Sequence, residues 1–99
     1  MFSSDSALSR AQSTVQLDND QFRVTEWRFA RNTETGWHVH SLDYVVVPMT
    51  TGELILNTRD DSYPFKLTAG AAYTRAPGLE HNIANHGGTE IVFLEVERK

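Results

Sequence analysis

The chain has 99 residues, 39% hydrophobic and 22% charged, with a net charge of −4 and no cysteine. A chain this short folds as one domain, burying roughly 60–70% of the surface its unfolded form exposes. The acidic balance argues against a nucleic-acid partner, and the missing cysteines exclude disulfides, thiolate nucleophiles and cysteine-ligated zinc, so any metal must sit on His, Asp, Glu or Tyr.

Residues 1–12, rich in Ser, Asp and Ala, lack the basic and apolar blocks of a secretory signal and read as a flexible N-terminal arm before a domain at 13–99. No apolar run approaches the ~20 residues of a membrane span, which gives the expectation of a soluble cytoplasmic protein without a membrane partner. From residue 13 every segment reads as strand. Thr14–Leu17 precedes the turn Asp18-Asn19-Asp20. In the segment from Phe22 to Ala30, Phe22 and Val24 lie on one face and Trp27 and Phe29 on the other, which predicts a bulge or bend between Val24 and Trp27. Arg31 to Gly36 reads as a turn, Trp37 to His40 as a short strand, and Tyr44 to Met49 as a strand whose Pro48 places it at an edge or bulge.

Further strands are predicted at Glu53–Asn57, Tyr63–Leu67, Ala72–Arg75, His81–Asn85 and Thr89–Glu97. In the last, Val92, Leu94 and Val96 face one way and Phe93, Glu95 and Glu97 the other. Eight or nine short strands with frequent turn signals and no helical stripe predict an all-β sandwich or barrel.

The chemistry-bearing residues are histidines. His38 and His40, one residue apart in an extended segment, project to one face, and His81 opens a later strand after a Pro-Gly loop. Three neutral imidazoles can hold a first-row divalent metal and leave coordination positions open. His86, next to Gly87-Gly88, reads as a surface residue in a tight turn.

These residues resemble the two motifs of the cupin superfamily, G(X)5HXH(X)3–4E(X)6G and G(X)5PXG(X)2H(X)3N. His38, His40 and Gly52 match the first; Gly70, Gly78, His81 and Asn85 match the second, and the resemblance spans about residues 20–98. It implies a double-stranded β-helix, or jelly-roll, barrel with a metal at one end of its interior, usually in a homodimer. The words HSLDYVVVP resemble small bacterial cupins linked to β-alanine catabolism. Three positions depart from the pattern. The motif glutamate falls on Tyr44 or Val45, Gly36 stands in for a first glycine expected at Asn32, and the proline is displaced to Pro77.

Two readings of the missing glutamate stay open. Either Asp43 replaces it across a shorter turn, or the site is a three-histidine centre with Asp43 near the metal but not on it. A three-histidine site resembles the centres of diketone-cleaving and thiol-oxidising cupin dioxygenases, and Tyr44 would then handle a proton, as tyrosines do in some cupin lyases. Arg75, sharing a face with Tyr73, is the candidate for holding a substrate carboxylate. Glu26, Arg28 and Glu95 are further polar candidates, and Trp27, Trp37 and Phe93 are expected in core or dimer packing. The resulting expectation is a metal-dependent dioxygenase, lyase or isomerase for a small organic acid or diketone, using iron foremost, or manganese, zinc or nickel. The alternative is a cupin module that binds a metabolite or metal without turnover.

Overall fold

The computed structural model describes residues 8–99. Eleven strands, and no helix among the described residues, form two facing sheets. Among the described residues no helix is long and apolar enough to cross a membrane. The first sheet contains β1 (Ser9–Arg10), β4 (Thr33–Glu34), β10 (Glu80–Asn85), β7 (Gly52–Asn57) and β8 (Ser62–Leu67) in that order, with β5 (His38–Val39) also paired to β10. The second runs β2 (Gln12–Asp18), β3 (Phe22–Phe29), β11 (Ile91–Arg98), β6 (Tyr44–Pro48) and β9 (Tyr73–Arg75). This is the predicted jelly roll.

Between the sheets lies a core of Phe29, Tyr44, Val46, Leu54, Leu67, Ile83, Ile91 and Phe93. Phe29 and Phe93 pack ring to ring at 5.4 Å between centroids. Burying each such side chain contributes roughly 1.5–3 kcal/mol. Asn85, fully buried, ties this end of the barrel together. Its amide donates to the carbonyls of Phe29 and Thr89 at 3.1 and 2.9 Å, and its Oδ1 accepts from the Gly87 N–H at 3.0 Å.

Several local expectations are revised. β3 pairs with β11 in unbroken register from Phe22 to Phe29, so there is no bulge between Val24 and Trp27; the irregularity lies in β2, between Val15 and Leu17. Phe22 and Val24 differ in face from Trp27 and Phe29 because the outer surface of this sheet is itself apolar. Residues predicted as turn before Gly36 include β4, a two-residue strand too short to leave a periodic signal. Of the predicted arm, residues 1–7 lie outside the described residues, while Ser9–Arg10 pair in parallel with Thr33–Glu34 and Gln12 starts β2. β6 is neither an edge strand nor bulged, since it lies between β11 and β9 in continuous register with β11; Pro48 is accommodated because it pairs with Phe93 beyond the end of β9, where its missing N–H leaves no ladder bond unmade.

Candidate metal centre

Register, more than proximity in sequence, assembles the site. β5 and β10 are antiparallel with His38 directly opposite His81, so both imidazoles leave the same face of the pair. His40 follows His38 on that face by alternation. The rings of His38 and His81 lie 4.5 Å apart and those of His38 and His40 5.0 Å apart, centroid to centroid. One ligand atom from each histidine falls within 4.8 Å of the other two. His81 is buried, and His38 and His40 are half-buried.

The segment entering this site is pinned from β10. The Gly36 N–H donates to Asn82 Oδ1 at 3.0 Å, Asn82 Nδ2 donates to Glu34 at 2.9 Å, and the Ile83 N–H donates to Thr35 Oγ1 at 3.1 Å. Glycine suits Gly36 because its φ is +88°, in the left-handed region where a side chain is strained. Its carbonyl accepts the Nδ1–H of His38 at 2.8 Å, which fixes the tautomer and leaves Nε2 as a lone pair. At the other side of the mouth, the Gly78 N–H donates to the His40 carbonyl at 3.0 Å, clipping the Pro77-Gly78 loop to the histidine segment.

The nitrogen geometry fits a metal ion. His38 Nε2 and His81 Nε2 are 3.0 Å apart. Two nitrogens each about 2.1 Å from one ion and at right angles stand about 3.0 Å apart. His40 Nε2 is buried without a hydrogen-bond partner, a costly arrangement for a polar atom unless a further group engages it. Protonation favours the same reading. Burial, then the charges of His38, His40 and Arg75, push His81 down to about 4, and burial followed by His38 lowers His40. Both are therefore neutral at pH 7, the form in which imidazole can bind a metal.

Around the histidines stand groups that no local pattern announced as neighbours. Glu95 and Glu97 on β11 point inward and are buried. Glu95 Oε1 accepts the indole N–H of Trp27 at 3.1 Å, and its Oε2 lies 3.5 Å from His40 Nε2. Burial raises the Glu95 pKa to about 7, despite the opposing hydrogen bond from Trp27. Glu97 Oε2 faces the other ring nitrogen of His40, Nδ1, at 3.5 Å, while its Oε1 accepts from Arg23 Nε at 2.8 Å. Burial acts upward on Glu97, but the hydrogen bond and charge of Arg23, together with His40, outweigh it and lower its pKa. Alternation put both carboxylates on one face of β11 with Phe93, without naming that face as the inner one.

The remaining candidates divide. Tyr44 is buried with its ring 4.1 Å from that of His40, and burial, followed by the Glu95 charge, pushes its pKa up to about 12. Arg75 and Tyr73 face the interior from β9, with the Arg75 guanidinium 5.4 Å from the Tyr73 ring and 4.9 Å from Phe65. Arg75 joins Tyr44, Pro77, Leu79 and His81 around a cavity of about 300 Å³ at the barrel mouth. Asp43 is exposed and is not one of the three grouped ligands; it borders a larger outer hollow, about 490 Å³, that none of the histidines lines. Among the polar candidates, Glu26 and Arg28 lie side by side on the outward face of β3, 3.4 Å apart. Trp37, expected in packing, is exposed under the Arg59 guanidinium at 4.0 Å, and His86 is exposed in its turn.

No family model matches the chain. It is 51% identical over 90 residues to the β-alanine degradation protein BauB of Pseudomonas aeruginosa, covering 91% of this chain and 95% of that one. Among solved structures, a cupin domain protein from Bordetella pertussis is 55% identical with a TM-score of 0.90, covering 94% of this chain and 97% of that one. A protein with a double-stranded β-helix domain from Klebsiella pneumoniae, 22% identical, superposes with a TM-score of 0.74 over 99% of this chain and 88% of that one, a likeness of fold alone.

Proposed function

This chain belongs to the cupin superfamily, and from that premise we propose that it is a metal-dependent enzyme acting on a small organic acid in the degradation of β-alanine. The observation that carries this reading is the convergence of three imidazoles on one point of the barrel interior beside an inward guanidinium. The name of the 51% identical relative supports the pathway.

His38, His40 and His81 would hold the ion, and an imidazole set of this kind accepts iron, manganese, zinc or nickel. When bound, the ion supplies Lewis acidity toward a substrate oxygen and, as iron, redox chemistry with dioxygen. The chain's own groups supply the rest. Arg75 offers paired N–H donors to a carboxylate entering the mouth. Tyr44, with its pKa near 12, keeps its proton at neutral pH and serves as a hydrogen-bond donor, not as a base. The mouth, about 300 Å³, suits a substrate of a few carbons, an organic acid or a diketone. Oxygenative cleavage and lyase or isomerase chemistry both use these parts.

A second reading, a binding module without turnover, draws on one observation. Tyr44 holds its proton and Asp43 is exposed, so neither stands at the histidines as a free base.

The test is elemental analysis of purified protein followed by assays with small carboxylates and diketones. About one transition metal per chain, with oxygen uptake or product formation that is lost in His81→Ala, supports the enzyme. Metal-loaded protein that binds a small carboxylate tightly and converts none of the compounds supports the module.

The proposal includes a homodimer. The outward face of the β2–β3–β11–β6–β9 sheet presents Leu17, Phe22 and Met49, 47%, 39% and 54% exposed, around half-buried Val24, Val45, Leu94 and Val96. An apolar sheet face of this kind is suited to a second copy. Sedimentation at equilibrium gives twice the chain mass if this is right, and the chain mass if it is not.

A further inference from the structure

The strands that carry His38 and His81 are held unequally. β10 is flanked by β4 and β7, whereas β5 has two residues and, among the described residues, pairs with β10 alone. We infer that Arg59, on the hairpin between β7 and β8, is a positioning residue that clamps β5 to β10 from outside the barrel. It thereby holds the His38 and His81 imidazoles in register. The inference rests on the metal-centre reading above.

Alternation builds the clamp. His38 and His81 point inward, so Trp37 and Glu80, each one residue before a histidine, lie on the outside of the same strand pair. Arg59 meets both of them there. Its Nε and Nη2 donate to the two carboxylate oxygens of Glu80 at 2.9 and 3.0 Å. Its guanidinium also lies 4.0 Å from the centre of the Trp37 ring. One planar group thus engages each ligand-bearing segment next to its histidine, and it acts on the imidazoles through Trp37 and Glu80.

The hairpin that presents Arg59 is itself braced. The Thr58 N–H donates to the Asp61 carbonyl at 2.8 Å, and the Asp61 N–H donates to Thr58 Oγ1 at 2.9 Å. Ser62 Oγ donates to Asn57 Oδ1 at 2.7 Å, and Asn57 Nδ2 reaches the Asn82 carbonyl of β10 at 3.3 Å. An isolated exposed ion pair contributes little to stability. A two-pronged guanidinium–carboxylate pair lying on an indole adds fixed geometry and a second attraction. Such a contact matters most to a strand of two residues, which has few bonds of its own to resist fraying.

Two measurements on the purified full chain test this. One is hydrogen exchange of residues 37–40 in metal-free protein, by mass spectrometry; the other is cobalt(II) affinity, by calorimetry. The variants are Arg59→Ala, Glu80→Ala, Trp37→Ala and Trp37→Phe, each checked for folding by circular dichroism. Arg28→Ala is the control, because it breaks another exposed ion pair, Arg28–Glu90 at 2.8 Å, on the other sheet. Arg59→Ala is expected to speed exchange at residues 37–40 several-fold and to lower cobalt affinity roughly 10-fold, the low end for residues beyond the ligands. Glu80→Ala and Trp37→Ala act in the same direction. Trp37→Phe keeps a ring under the guanidinium and stays near wild type, as does Arg28→Ala. Wild-type cobalt affinity in Arg59→Ala, with or without faster exchange, would overturn the positioning role and leave the three-histidine centre standing. Lowered affinity with unchanged exchange at residues 37–40 would overturn it as well. Wild-type protein that takes up no cobalt would overturn the metal-centre reading and the role of Arg59 with it.

Discussion

One face of β11 passes through two environments within seven residues. At its start Ile91 and Phe93 are sealed among Phe29, Leu54 and Leu67; further on, Glu95 and Glu97 are buried beside His40. The backbone, the strand and the pairing partners β3 and β6 are shared, so the contrast lies in side chains alone. The aromatic end is stabilised by its burial. The carboxylate end gains nothing from burial and must compensate through Trp27, Arg23 and the histidines. A small domain that keeps two carboxylates and three imidazoles inside its barrel has given up apolar core at one end for a polar cluster.

Substitutions along this face separate the two ends. The largest effect belongs to Phe93→Ala: a cost of about 3–5 kcal/mol in the free energy of unfolding, measured by denaturant titration, from lost burial and the cavity left behind. Metal affinity of the folded fraction stays within a few-fold, because no ligand is touched. His81→Ala does the reverse. Metal affinity falls by more than about 100-fold by calorimetry, beyond the usual effect of residues outside the ligand set. The stability of the metal-free variant stays close to wild type, since a buried unpartnered imidazole nitrogen is removed along with the ring.

A subtler contrast appears in the pH dependence of metal-free protein. Glu95 has a folded pKa near 7 against an ordinary value of 4.5, so the folded state holds a proton the unfolded chain releases, and stability is lost as pH rises across that interval. His81, near 4 against 6.5, acts in the opposite direction: the unfolded chain binds the proton first, and stability is lost as pH falls. The opposing slopes partly cancel in wild type, where the lowered pKa values of His40 and Glu97 add to the effect of His81. Glu95→Gln removes one of them, so its stability rises with pH from 4.5 to 6.5, by on the order of 2–3 kcal/mol. A flat profile in the variant would show that the carboxyl is not the compensating group. The smallest effect belongs to Asp43→Ala. It changes stability by less than about 0.5 kcal/mol and leaves metal occupancy unaltered, because the side chain is exposed and the Arg98 N–H that pairs here binds the backbone carbonyl.

Much of the site was legible before any coordinates. Strict alternation in an extended segment puts His38 and His40 on one face whatever the fold, and the absence of cysteine and of any helical stripe confines the chain to a β scaffold with nitrogen and oxygen ligands. The loop before His81 and the spacing to Asn85 carried the resemblance to a second motif. Other features depended on the packing of two sheets. Whether Phe93 and Glu95 or Val92 and Leu94 faced the interior was undetermined, because both faces of β11 are apolar enough to be buried. The same ambiguity suggested a bulge in β3 where the register is continuous. Alternation names two faces without naming the inner one, since that choice belongs to the partner sheet. Only the tertiary structure brings Trp27, Glu95 and Glu97, distant in sequence from His40, to the two nitrogens of its ring.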